Sequence, residues 1–306
     1  MKIYLANTQG FCAGVSFAIA IVEKALKKYG TPLYIYHEIV HNTYVVNNFR
    51  KQGIIFVEDI KKVPSGSHII FSAHGVPPSG FEEAKKLNLK IIDATCPLVK
   101  KIHHKAIKYS KNKYPTILIG HKGHQELIGT SGYISPDLLH IVENINDVEN
   151  LQIPSDQTVT YLTQTTLSTD DTKAMIDKIK QTFSSTISPE SSDICYATQN
   201  RQNAVKELSS ICDLILICGS SNSSNSNRLR ETGEKYGVDS YIIDNVNEIN
   251  FSIFDKKQAI GISSGASVPR IIVDEVVEYI KQKFENVCVE NFGESEKNIV
   301  FQVPNV

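Results

Sequence analysis

The sequence predicts a parallel α/β protein made of three related α/β subdomains in a trefoil (pseudo-threefold) arrangement around one central site. Three observations predict it. A cysteine follows a short apolar run and leads into helical sequence three times, at Cys12, Cys96 and Cys195. Each is trailed by a polar residue at a near-equal offset: His41 lies 29 residues after Cys12, His124 28 after Cys96 and Ser223 28 after Cys195. Each segment then adds a further apolar strand, a polar loop and, in the second and third, a helix; repeated strand, loop and helix build parallel sheets.

The elements follow in order. Lys2–Ala6 reads as a strand, Gln9 to Gly14 as a loop, and about Val15–Tyr29 as a helix with Val15, Ala18, Ile19, Val22 and Leu26 on one face. Gly30-Thr31-Pro32 stops it, and Leu33–Tyr36 is the next strand, delivering His37 to Asn42. Ile69–Phe71 ends in Ser72-Ala73-His74-Gly75. The second unit opens on the strand Lys90–Asp93, with Pro97 suited to a first helical turn and a helix over Leu98–Tyr109. Thr116–Ile119 ends in Gly120 to Glu126; Val159–Leu162 ends in Thr163 to Thr166, before a helix over Asp170–Phe183. The third opens on Asp193-Ile194-Cys195, with a helix near Gln202–Ser209. Leu214–Cys218 ends in the serine-asparagine run Ser220 to Asn227, and Ala259–Ile262 ends in Ser263 to Ser267, before a helix over Arg270–Phe284. The expected boundaries are 1–96, 97–192 and 193–284, with 285–306 as a C-terminal extension. In such folds ligands sit outside the carboxyl ends of the strands, where all six polar loops fall.

Composition narrows the classes. With 41% hydrophobic and 21% charged residues the 306-residue chain is an ordinary globular protein with room for several cores. A net charge of −1 offers no global field for nucleic acid or anionic membrane. No apolar run approaches the roughly 20 residues that span a bilayer, and the N-terminus lacks a signal-peptide h-region. The expectation is a cytoplasmic protein whose six cysteines serve as thiols.

Cys212, Cys218 and Cys288 sit in or beside apolar runs and read as small hydrophobes. Cys12, Cys96 and Cys195 hold equivalent loop positions and read as metal ligands. Their spacing lacks the short Cys-x-x-Cys pairs of a zinc ribbon or two-cluster ferredoxin. Three thiolates fit either a zinc site with one open position or an iron–sulfur cluster with one iron not held by cysteine. His41, His74 and His124 end strands and suit zinc or an anion. Their company favours the anion: Ser223, Ser224 and Asn225 offer hydroxyls and an amide, and Ser267 precedes a helix start. Glu126, two residues after His124, is the candidate proton source, with Thr165 or Thr166 to order it. Neither G-x-x-x-x-G-K-[ST] nor G-x-G-x-x-G occurs, which speaks against nucleotide readers. A three-cysteine zinc hydrolase of a phosphorylated substrate and an iron–sulfur redox sensor remain the rival classes.

Several segments together resemble one family. Gly10-Phe11-Cys12-Ala13-Gly14-Val15, Asp93-Ala94-Thr95-Cys96-Pro97 and Cys195-Tyr196-Ala197-Thr198-Gln199-Asn200-Arg201-Gln202 are similar to the 4-hydroxy-3-methylbut-2-enyl diphosphate reductases. So are Ser72 to Gly75, Gly120 to Glu126, Thr163 to Ser168, Ser223 to Leu229 and Gly265-Ala266-Ser267, in order from about residue 10 to 285. The resemblance implies one [4Fe–4S] cluster at the centre of the trefoil, held by Cys12, Cys96 and Cys195 with one open iron. It implies a diphosphate pocket of His41, His74, His124, Ser223, Ser224, Asn225 and Ser267, with Glu126 and Thr165 as catalytic residues. It further implies reduction of the hydroxylated diphosphate to isopentenyl and dimethylallyl diphosphate, with electrons from ferredoxin or flavodoxin.

Overall fold

The structure is a computed structural model that describes every residue except Glu190 and Asn298. In chain order its strands are β1 (Lys2–Ala6), β2 (Leu33–Tyr36), β3 (Ile54–Val57), β4 (His68–Phe71), β5 (Lys90–Asp93), β6 (Thr116–Ile119), β7 (Leu139–Val142), β8 (Thr158–Thr163), β9 (Ser185–Ile187), β10 (Leu214–Cys218), β11 (Asp239–Ile243), β12 (Ala259–Ser264) and β13 (Cys288–Phe292). Its α-helices are α1 (Ala13–Tyr29), α2 (Thr43–Lys51), α3 (Pro78–Lys86), α4 (Pro97–Lys111), α5 (Gln125–Ser131), α6 (Ile145–Glu149), α7 (Thr169–Thr182), α8 (Tyr196–Ser209), α9 (Ser224–Lys235) and α10 (Arg270–Lys283). They form two compact units.

The first unit comprises Met1–Val15, His41–Asn47 and Tyr196–Val300. Its parallel sheet has the order β11-β10-β12-β1-β13. Because both faces are covered, β10 is apolar throughout rather than alternating. Along β10, Leu214, Leu216 and Cys218 pack with Ile272, Val273, Val276, Val277 and Ile280 of α10. Ile215 and Ile217 point the other way, to Ala204, Val205 and Leu208 of α8 and Leu229 of α9. In β1 the same alternation sends Ile3 and Leu5 to one core and Tyr4 and Ala6 to the other.

The second unit comprises Ser16–Val40, Asn48–Cys195 and Phe301–Val306. It holds two parallel sheets, β3-β2-β4-β5 and β7-β6-β8-β9. In one, Tyr34, Ile69 and Phe71 pack with Ala84 and Phe81 of α3. In the other, Ile117, Ile119 and Val159 face Met175 and Ile179 of α7, while Leu118 and Leu162 face Ile102 and Ala106 of α4 and Leu127 of α5. The expected three parallel α/β subdomains are thus present, with one spatial strand order: β11-β10-β12-β1, β3-β2-β4-β5 and β7-β6-β8-β9 correspond, although β1 reaches its place from the start of the chain.

One strand pairing joins distant parts of the chain. The sequence reading assigns residues 1–96 to the first subdomain, yet β1 pairs with β12 and β13 of the last. Its apolar character suits a central strand, and the sequence pattern does not reveal which sheet receives it. Within the expected C-terminal extension, β13 pairs with β1, and Phe301 lies edge-on to Phe17 with ring centroids 6.3 Å apart. Two helices begin earlier than periodicity predicts, α1 at Ala13 and α8 at Tyr196, while α4 opens at Pro97 as expected; each starts directly after a cysteine. For α8 the difference is six residues, because its first turns are buried through Thr198, Arg201 and Gln202 rather than an apolar stripe.

Candidate active site

In the first unit Cys12 directly precedes α1, and its Sγ accepts from the Val15 N–H at 3.5 Å. Burial pushes this thiol up from its ordinary value, while the Arg201 charge and the N–H groups of Val15 and Gly14 act in the opposite sense. In the second unit Cys96 is the N-cap of α4, and Cys195 is the residue before α8. Helix N-termini favour thiolate and other negative charge.

A second equivalence lies in the main chain. The Cys12 N–H donates to the Ala266 carbonyl at 3.0 Å, Cys96 to Ala73 at 3.0 Å and Cys195 to Thr165 at 3.1 Å. Those acceptors follow β12, β4 and β8, which are corresponding strands of the three sheets. Each cysteine is therefore pinned to a loop that also carries a site residue from the sequence reading: Ser267, His74 or Thr165. The other cysteines differ. Cys212 and Cys218 are buried thiols pushed up to about 12 by desolvation, and Cys288 is exposed on β13. Among the described residues no three His, Cys, Asp or Glu side chains form a metal cage as they stand. The fit of a metal cofactor therefore rests on the helix N-termini that follow Cys12, Cys96 and Cys195, which favour anionic sulfur, with burial opposing it at Cys12.

The polar groups cluster within each unit. In the first, Ser267 Oγ donates to the His41 carbonyl at 2.9 Å. Ser223 caps α9, accepting from the Ser226 N–H, and Ser224 opens the helix. The serine-asparagine run expected as a loop is thus half helical. Asn225 is buried, yet its Nδ2 and Oδ1 both lack a partner, as does the neighbouring Ser226 Oγ. Buried amides normally pair, so an orphaned one implies a ligand. Gly265 makes room there: a Cβ at that position would lie 3.5 Å from Asn225 Nδ2 and would overlap Ser226 Oγ.

In the second unit the rings of His74 and His124 meet edge-on, centroids 6.0 Å apart. His124 is the N-cap of α5, its Nδ1 accepting from the Glu126 N–H at 3.1 Å. Glu126 therefore stands on the first helical turn, not in the loop the sequence suggests. Its carboxylate accepts from the Thr165 N–H at 2.6 Å and the Thr165 hydroxyl at 2.7 Å. Burial raises its pKa from 4.5 to about 7 despite both bonds, with the nearby Asp193 charge adding to the rise. A carboxyl poised there can donate a proton near neutral pH.

Three polar residues escaped the sequence reading. Arg201, fully buried, donates through Nη2 to the Gly10 carbonyl at 3.0 Å. Asp193 pairs with Lys105 at 2.5 Å. The sequence signals for them were the family-like motif that contains Arg201 and, for Asp193, its place just before Cys195.

Fold and site together define a triplicated parallel α/β protein with cysteines at helix N-termini, an orphaned amide beside a helix start and a buried near-neutral carboxylic acid. The chain belongs to the LytB protein family, whose profile matches residues 3–281. It is similar to the 4-hydroxy-3-methylbut-2-enyl diphosphate reductases of Histophilus somni, 48% identical over 99% of this chain and 97% of the relative, and of Nitrosomonas europaea, 45% identical over 99% and 96%. Among solved structures, the E-1-hydroxy-2-methyl-but-2-enyl-4-diphosphate reductase of Plasmodium falciparum matches with a TM-score of 0.95 and 40% identity, over 99% of this chain and 95% of that one. No described helix is long and apolar enough to cross a membrane.

Proposed function

We propose that this protein is a 4-hydroxy-3-methylbut-2-enyl diphosphate reductase, an oxidoreductase of isoprenoid biosynthesis. It takes (E)-4-hydroxy-3-methylbut-2-enyl diphosphate, two electrons and two protons to isopentenyl or dimethylallyl diphosphate and water, the last step of the non-mevalonate route. What supports the reading most is the triple equivalence of Cys12, Cys96 and Cys195, each before a helix and each hydrogen-bonded to a corresponding loop carbonyl. These three would hold one [4Fe–4S] cluster with one open iron. When bound, that cofactor supplies the electrons and a Lewis-acidic iron for the allylic C–O bond.

The chain's own residues do the rest. His41, His74, His124, Ser223, Ser224, Asn225 and Ser267 bind the diphosphate. Asn225, whose buried amide lacks a partner, gains one from a phosphate oxygen. Anchoring the diphosphate orients the reacting end of the substrate, so binding energy away from the reacting carbon serves positioning. Glu126 delivers the proton to the departing hydroxyl, and Thr165 fixes both carboxyl oxygens. Ferredoxin or flavodoxin supplies the electrons, and the enzyme works in the cytoplasm. Anaerobic reduction of the hydroxylated diphosphate by a chemical one-electron donor, with product analysis and iron and sulfide determination, tests this. Bound zinc without sulfide, or a sulfide-containing protein that leaves the substrate unchanged, would overturn it.

A further inference from the structure

Two cations, Arg201 buried and Lys105 partly buried, occupy related places. Arg201 lies on α8, six residues after Cys195, with its side chain 0% exposed. Its Nη2 donates to Gly10, two residues before Cys12, and its Nη1 donates to the Ala197 carbonyl and to Glu296 Oε1, both at 3.1 Å. Lys105 lies on α4, nine residues after Cys96, and meets Asp193, two residues before Cys195. The Asp193 side chain is 2% exposed, and its other oxygen accepts from the Thr163 N–H at 3.3 Å. In each case the helix that follows one cysteine sends a cation to the main-chain segment leading into another. At the same offsets after Cys12, α1 carries Ala18 and Ile21, both fully buried and apolar. The triplication therefore does not demand a cation at these joints.

Stability does not demand one either. Apolar side chains of similar volume often serve a core as well as a buried ion pair. Arg201 even leaves Nε buried without an acceptor. Its guanidinium instead spends hydrogen bonds on one carbonyl of the loop that ends in Cys12.

We infer that Arg201 is a positioning residue for the proposed cluster, fixing the Gly10-Phe11-Cys12 loop and holding a permanent positive charge beside it, with Lys105 and Asp193 fixing the approach to Cys195 in the same way. The inference rests on the cluster reading. Groups behind a ligand hold its geometry and tune its metal, and their loss lowers metal retention about 10- to 100-fold. A fixed cation favours the reduced, more negative state of a cluster, so its removal drives the potential down.

The test uses the full chain reconstituted anaerobically. Arg201→Met combined with Glu296→Gln removes the charge without stranding a carboxylate; Glu296→Gln alone is the control. Lys105→Met with Asp193→Asn treats the other joint. Unfolding midpoints establish that the variants fold. The Arg201 double variant is expected to release iron to a ferrous chelator about 10- to 100-fold faster than Glu296→Gln, with a more negative midpoint potential. Arg201→Lys keeps the charge but not the planar fork, so it restores the potential and not the retention. In cluster-free protein, Cys12 is expected to alkylate faster in the double variant, and Cys195 faster when the Lys105 joint is lost. Folded variants with unchanged release, potential and labelling would overturn the inference. Wild-type protein that binds no iron and sulfide would instead overturn the cluster reading, and the labelling rates would still decide whether these residues fix the loops.

Discussion

Replacing Glu126 by glutamine removes one buried titration and leaves the shape of the site intact. The carboxyl moves from 4.5 to about 7 on folding, because burial outweighs its two bonds from Thr165. At 1.36 kcal/mol per tenfold change in proton affinity, that gap is worth about 3 kcal/mol. Below pH 4.5 the group is protonated in folded and unfolded chains alike and contributes nothing. Between 4.5 and 7 the unfolded chain ionises while the folded one stays protonated, so stability falls as pH rises. Above 7 the whole penalty applies. Glutamine does not titrate, and it satisfies the same partners: its carbonyl accepts from the Thr165 N–H and its amide donates to the Thr165 hydroxyl. The Glu126→Gln protein should therefore gain about 3 kcal/mol on wild type between pH 4.5 and 8, read as the difference in urea-unfolding free energy at each pH. Turnover should collapse while diphosphate binding persists. Wild-type kcat should fall as pH rises through about 7, where the acid form is lost. A stability difference that stays flat across this range would refute the account of Glu126 as a buried acid, and undiminished turnover would refute its role as proton donor.

Gly265→Ala puts a methyl against Ser226 Oγ and beside the Asn225 amide, so it should raise KM for the diphosphate about tenfold, on the scale of one hydrogen bond to a charged group. Gly75→Ala adds a side chain at φ +82° and 2.6 Å from His103 Cε1, and should destabilise by about 1–3 kcal/mol in thermal melts. His103 itself, stacked on Tyr133, is held at about 4 by burial. Its unfolded form takes up a proton first as pH falls below 6.5, so wild type should lose up to about 3 kcal/mol between pH 6.5 and 4 that His103→Phe retains. Cys12→Ser, Cys96→Ser and Cys195→Ser should each lower bound iron, whereas Cys212→Ala and Cys218→Ala should not; equal losses in all five would remove the distinction between ligand and core thiols.

The legible elements share one property. Strands such as β10 and β6 are covered on both faces, so their apolar runs are continuous and easily seen. The missed strands lie at sheet edges: β11 and β13 have exposed residues interleaved, β9 has only three residues, and β3, though apolar throughout, and β7 are short edge strands as well. The opening turns of α8 escape for a different reason, since Arg201 and Gln202 are buried by hydrogen bonding and no hydropathy pattern marks them. Candidate site residues stood out where they sit in the loop that follows a strand, as His124, Ser223 and Thr165 do. Lys105, Asp193 and Arg201 did not, because a charged residue in sequence reads as surface until its partner is known.

The place of β1 bears on how the chain is made. Lys2–Ala6 is synthesised well before the strands that flank it, which end at Ser264 and Phe292. The acceptor that anchors the Cys12 N–H, Ala266, is likewise among the last parts synthesised. The sheets built from β2 to β9 can close from neighbouring sequence as they emerge. The opening segment, with Cys12 six residues beyond it, must wait. The Cys12 N–H thus has no carbonyl to hold it until Ala266 has been made, and on the proposed function cluster loading at Cys12 would follow that step.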